Sequence, residues 1–137
     1  MPWECSTTLD AGCDPQRAWE LLADVAAWPA WHPGIASASL DGPLEAGTTG
    51  TSRAPGGPAS RLEILSVDAP RALVSEARLP LVRVTFDWAL EPHDGGTRIS
   101  HSARIHGPAA PVFRRTIGPR LRRSVPAAVS ALAEHAA

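Results

Sequence analysis

The chain contains no lysine, no asparagine and no tyrosine. Without lysine there is no ε-amine for Schiff-base chemistry, and without tyrosine no phenol for acid–base work. All thirteen basic residues are arginine. The codons of the three missing residues are AT-rich, so the gap reads as the imprint of a GC-rich bacterial genome. No charge of either sign is in excess: the formal net charge is -1. That balance supplies no field to draw in nucleic acid or an acidic membrane surface. No run of 18 apolar residues is present, so no integral membrane segment is expected. The start, Met1-Pro2-Trp3-Glu4, lacks a basic segment followed by an apolar stretch, and a cytoplasmic location is the expectation.

Cysteine is scarce too. Cys5 and Cys13 have no third or fourth ligand at metal spacing, so no metal is expected. A disulfide is the alternative to two free thiols in a reducing compartment, and the thiols are the expectation. There is no G-x-S-x-G elbow, no phosphate-cradling glycine loop and no dinucleotide fingerprint, so no cofactor is expected.

What remains is an ordinary globular composition, 44% hydrophobic and 20% charged over 137 residues. That is the size of one domain, residues 1–137, able to hold a core without staples. Residues 3–9 read as a first strand. Asp14-Pro15 opens a helix, with Asp14 as N-cap and Pro15 at the first helical position. Trp19, Leu22, Ala23 and Ala26 give that helix an apolar face to about Ala26. A second short helix is expected over Trp28–His32, ending at Pro33-Gly34.

From Ile35 to Ile105 the pattern is that of strands: 35–40, 48–53, 60–67, 72–79, 81–90 and 97–105. The fifth alternates cleanly, with Val82, Val84, Phe86, Trp88 and Leu90 on one face. His93-Asp94-Gly95-Gly96 marks a hairpin. The C-terminal stretch carries Phe113, Ile117, Leu121, Val125, Val129 and Leu132 as one apolar stripe of a long helix. Pro126 is expected to kink it and Gly118-Pro119 to add a second bend. An antiparallel sheet with one apolar face needs a cover, and this helix is the only long element available.

The order of elements, the helix PQRAWELLADVAAW (15–28), the segment WPAWHPGI (28–35), the hairpin DGGTRISHSARIHG (94–107) and the C-terminal helix together resemble the SRPBCC superfamily. Its members include START-like, birch-pollen-allergen-like and polyketide cyclase/dehydratase proteins. The resemblance covers nearly the whole chain. It implies an α+β helix-grip fold: a curved antiparallel sheet of about seven strands wrapped around a long C-terminal helix, with two short helices after the first strand. It also implies a cavity between sheet and helix, and functions that differ among members.

Such a cavity should be walled by Val84, Phe86 and Trp88 from the best strand and by Phe113, Ile117 and Leu121 from the helix, unless these residues fill a solid core. His101 shares a strand face with Ile99 and Ile105, which points it inward. There it either contacts a ligand, as a hydrogen-bonding or proton-moving imidazole, or is a buried structural histidine. Trp28, Trp31 and His32 lie where relatives have a short helix bordering the cavity entrance, and Trp31 either stacks on a planar ligand or plugs a gap. His32, beside a proline at a helix end, is expected at the surface. Glu76 and Arg78 share one strand face: outward they are an ion pair, inward an acid–base pair with Arg78 orienting a carbonyl.

Two functions follow as expectations. One is a binder of a small hydrophobic ligand, with a polycyclic or polyketide-like body suited to the space. The other is a cyclase, aromatase or dehydratase using His101, with Arg78, for acid–base chemistry. Some members of the superfamily are regulatory partners of other proteins, a third reading.

Overall fold

The computed structural model describes residues 3–137. Strand β1 (Trp3–Ala11) alternates half-buried and exposed positions along its whole length. Helix α1 (Pro15–Ala23) starts where the sequence places it: Asp14 Oδ1 accepts a hydrogen bond from the Gln16 amide at 3.1 Å, and Pro15 sits in the first turn. It buries Ala18, Trp19 and Leu22.

The helix stops three residues earlier than its apolar spacing predicts. A single 3₁₀ segment, Val25–Ala30, replaces the second helix expected at Trp28–His32. The chain folds back onto the end of the helix. The Trp28 indole N–H donates to the Leu22 carbonyl at 2.9 Å, satisfying one of the carbonyls an ending helix leaves free. Pro29, inside the 3₁₀ segment, has no N–H to extend an α-helical ladder.

Six further strands follow: β2 (Ser37–Leu40), β3 (Thr49–Arg53), β4 (Ala59–Asp68), β5 (Ala72–Leu79), β6 (Val82–His93) and β7 (Gly96–His106). With β1 they form one curved antiparallel sheet in the order β1-β7-β6-β5-β4-β3-β2. The β6–β7 hairpin turns through Asp94 and Gly95, both at positive φ (48° and 79°). That is the primed turn whose twist suits paired strands.

The β5–β6 hairpin is equally tight. It sets Leu79 opposite Val82, Ala77 opposite Val84 and Ser75 opposite Phe86. Side chains directly opposite share a face, so Ser75, Ala77 and Leu79 look inward with Val84 and Phe86. Glu76 and Arg78 look outward.

Gly107 (φ +115°) turns the chain out of β7, where a Cβ would lie 2.9 Å from the Leu81 carbonyl oxygen. The expected bend at Gly118-Pro119 is a break between two helices, α2 (Ala110–Thr116) and α3 (Gly118–Ala136). Helix α3 runs on through Pro126 as one element. It buries Leu121, Val125, Ala128, Val129 and Leu132 across the sheet, each Leu or Val contributing roughly 1.5–3 kcal/mol.

The buried apolar residues divide into two clusters. One joins α1, the 3₁₀ segment, Trp31, Trp88 and the distal half of α3. The other joins Val82, Val84, Ala103 and Ile105 to Leu121 and Val125. His101 lies on β7 between Ile99 of the first cluster and Ala103 of the second. Cys5 and Cys13 are both free thiols.

Candidate ligand-binding site

Between the inner face of the sheet and α3 lies a cavity of about 470 Å³. That is within the usual range for sites of small organic molecules. Its sheet wall carries Leu62, Ala77, Leu79, Val84, Phe86 and Trp88; its helix wall carries Ile117 and Leu121. The rim is formed by the β3–β4 turn, the Pro33–Ile35 loop and the exposed Arg120 and Arg123. The charged groups on the described lining are Arg53, Arg120 and Arg123, and no carboxylate is among them.

His101 is 2% exposed and points into this space. It is the cross-strand partner of Trp88, and the two rings stack with centroids 3.7 Å apart and planes 13° apart. Its Nδ1 lies 2.9 Å from the Asp87 backbone carbonyl. A carbonyl only accepts, so Nδ1 carries the hydrogen. Burial drives its pKa down to about 3; the Asp87 bond opposes this, and the nearby His32 adds to it.

His32 departs from its expected place at the surface. The Pro33-Gly34 turn folds its ring back onto the cavity, edge-on to Trp88 and to His101, at 6.4 Å between centroids in each case. The Gly34 amide donates to His32 Nδ1 at 3.0 Å. Gly34 leaves room for this: a Cβ there would sit 3.0 Å from His32 Cε1 and 3.2 Å from Ser124 Cβ. Burial lowers the His32 pKa to about 4. Both imidazoles are therefore neutral at physiological pH.

Residues 2–137 match the family model described as polyketide cyclase/dehydrase and lipid transport. The chain belongs to this SRPBCC-type family. No protein of curated function is similar enough in sequence to match it. Among solved structures it superposes on an aromatase/cyclase from Streptomyces sp. R1128 with a TM-score of 0.79 at 15% identity, covering 99% of this chain and 94% of that one. Truncated norcoclaurine synthase from Thalictrum flavum gives a TM-score of 0.75 at 16% identity, covering 98% and 92%. The di-domain aromatase/cyclase of the steffimycin biosynthetic pathway gives 0.76 at 14% identity; this chain, 99% covered, spans 51% of it. At such identities the likeness is one of fold.

In this family member the cavity brings together Val84, Phe86, Trp88, His101, Ile117 and Leu121. Three other candidate residues lie elsewhere. Trp31 is a plug: it packs edge-on against Trp88, centroids 5.9 Å apart, and does not border the cavity. Phe113 belongs to α2, beyond the break at Gly118, and packs on the second cluster instead of the cavity wall. Arg78 is on the outer face of the sheet, so it does not orient a carbonyl in the cavity. Its Nε donates to Glu76 at 2.8 Å and its Nη2 lies 3.2 Å from Glu63. Glu76, 4% exposed, also accepts from the Thr85 hydroxyl at 3.2 Å.

Sequence reasoning missed His32, Leu62, Ser75, Ala77 and Leu79 as cavity residues. For the three on β5 a signal existed. A two-residue turn at Pro80-Leu81 fixes the β5 register against β6, whose inner face was already plain. For His32 the resemblance put the segment at the cavity entrance, but no local signal turned the ring inward, because its position depends on a long-range fit against Ser124 and Trp88.

No cluster of three or more His, Cys, Asp or Glu side chains suited to a metal occurs among the described residues. None of the described helices is long and apolar enough to cross a membrane.

Proposed function

We propose that this protein binds a small, planar, hydrophobic molecule in the cavity between sheet and α3, with a polycyclic or polyketide-like body. The observation that carries this reading is the lining itself: about 470 Å³ walled mainly by aliphatic and aromatic side chains, with two neutral imidazoles, a few serine hydroxyls and no carboxylate among the described residues. An apolar wall with few polar groups favours an apolar body through the area it removes from water. The family description, which pairs cyclase chemistry with lipid transport, supports the same ligand class.

Ala77→Trp tests this. Ala77 projects into the space from the middle of β5, so an indole there fills the cavity from within. Titration of the wild type with 2-naphthol, followed by isothermal calorimetry, is expected to give saturable one-to-one binding. The variant, still folded by circular dichroism, is expected to lose affinity roughly hundredfold or more. Equal affinity in the two proteins would place the binding elsewhere.

A second reading is an aromatase, cyclase or dehydratase in which His101 moves a proton. Its support is the ring nitrogen of His101 left free on the cavity side. Against it stands the depressed pKa of about 3, because general-base catalysis is most efficient when the pKa lies near the working pH. Arg78 has no part in this reading, being on the outer face. His101→Ala would abolish turnover while sparing the fold if the reading holds; unchanged turnover removes it.

A further inference from the structure

The two cavity histidines differ in which nitrogen they leave free for a ligand. His101 donates through Nδ1 to the Asp87 carbonyl. As a neutral ring it therefore presents a bare Nε2, an acceptor. His32 accepts at Nδ1 from the Gly34 amide. As a neutral ring it therefore presents Nε2–H, a donor. Each tautomer is dictated by a backbone group that can play only one role.

Neither Nε2 bonds a protein atom among the described residues. Of the wholly enclosed side-chain polar atoms described, only Trp31 Nε1 lacks a partner, so the two free histidine nitrogens are not sealed in protein, and both residues line the cavity. The rings stand 6.4 Å apart at 87°. A hydroxyl donates and accepts at about the tetrahedral angle, so two hydrogen bonds of about 2.8 Å hold their two nitrogens about 4.6 Å apart, a span that nitrogens on the facing edges of rings with centroids 6.4 Å apart can meet.

We propose that His32 and His101 form a donor–acceptor pair that selects a ligand whose apolar body carries a hydroxyl, a phenol or an enol. The hydroxyl hydrogen goes to His101 Nε2 while a lone pair of the same oxygen accepts from His32 Nε2–H. The selection rests on the reading of the cavity as a binding site. An ether satisfies His32 but leaves His101 unpaired; a hydrocarbon leaves both unpaired, and buried polar groups without partners lower affinity. No ionised group competes inside: the described charged lining residues, Arg53, Arg120 and Arg123, are exposed at the rim.

The test is calorimetric titration of the protein with 2-naphthol, 2-methoxynaphthalene and naphthalene, beside ¹⁵N spectra of the imidazoles without ligand. In the wild type the naphthol is expected to bind about tenfold more tightly than its methyl ether, and the ether more tightly than the hydrocarbon. His101→Phe, which keeps a flat ring on Trp88, is expected to erase the first preference and leave the second. His32→Phe is expected to erase the second. The spectra are expected to show His101 protonated at Nδ1 and His32 at Nε2.

Equal binding of all three probes, an undiminished naphthol preference in His101→Phe, or the opposite tautomers would each overturn the pairing while leaving the cavity as a binding site. Binding of none of the three would overturn the cavity reading and the pairing with it. If either variant fails to fold, the wild-type series and the spectra decide alone.

Discussion

The imidazole of His101 lies flat against the indole of Trp88, ring centroids 3.7 Å apart, as direct cross-strand partners on β7 and β6. Phe86 continues the same aromatic surface, 6.1 Å from His101 and tilted by 19°. A polar ring laid flat on an aromatic one keeps its plane and its hydrogen-bonding edge fixed. That rigidity is what a binding site for a flat molecule requires.

The stack makes Trp88 a reporter. Of the five tryptophans, only Trp28 and Trp88 border the cavity. A planar ligand entering beside Trp88 is expected to change tryptophan emission, and Trp88→Phe to remove most of the change while binding persists by calorimetry. An unaltered response in Trp88→Phe would mean that the ligand sits away from the β6 wall.

Burial of the two histidines ties stability to pH. Folding holds their pKa values at about 3 and about 4, below the ordinary 6.5. The unfolded chain therefore takes up these protons first as pH falls below 6.5, and stability declines from there until each folded pKa is reached. The expected slope is on the order of 1.4 kcal/mol per pH unit for each histidine. Denaturant titrations at pH 7, 6 and 5 measure it. His101→Phe should lose that residue's share, and an unchanged slope would show that the ring is already solvated.

Arg78 separates the two faces of the sheet. Arg78→Gln removes the hydrogen bond to Glu76 and the pairing with Glu63 on the outer face. It is expected to lower the thermal midpoint and to leave ligand affinity within about twofold. A large loss of affinity with an unchanged midpoint would put Arg78 in the site after all.

How far the sequence could be read followed the range of the physics involved. The strict alternation of Val82 to Leu90 and the helical stripe from Leu121 to Leu132 are local patterns, and both are in the structure. The Asp94-Gly95 hairpin follows from turn chemistry, and the N-cap at Asp14 from side-chain hydrogen bonding. The inward direction of Ile99, His101 and Ile105 follows from period-two alternation.

The exceptions depend on tertiary fit. Whether Trp28 would cap α1 through the Leu22 carbonyl, and so end it at Ala23, depends on how the chain folds back. The exclusion of Phe113 from the cavity depends on where the helix breaks. His32 needed the Pro33-Gly34 turn and the space beside Ser124. The face of Arg78 was a matter of register, which the β5–β6 turn could have supplied.

The cavity is proposed to hold a small apolar molecule. The most direct measurement is native mass spectrometry of the protein purified gently from the cells that make it, and again after incubation with their total organic extract. One equivalent of a small lipophilic compound, displaced by 2-naphthol and absent from Ala77→Trp, is the result expected. A bare chain in both preparations would contradict the claim and leave the fold without the function assigned to it.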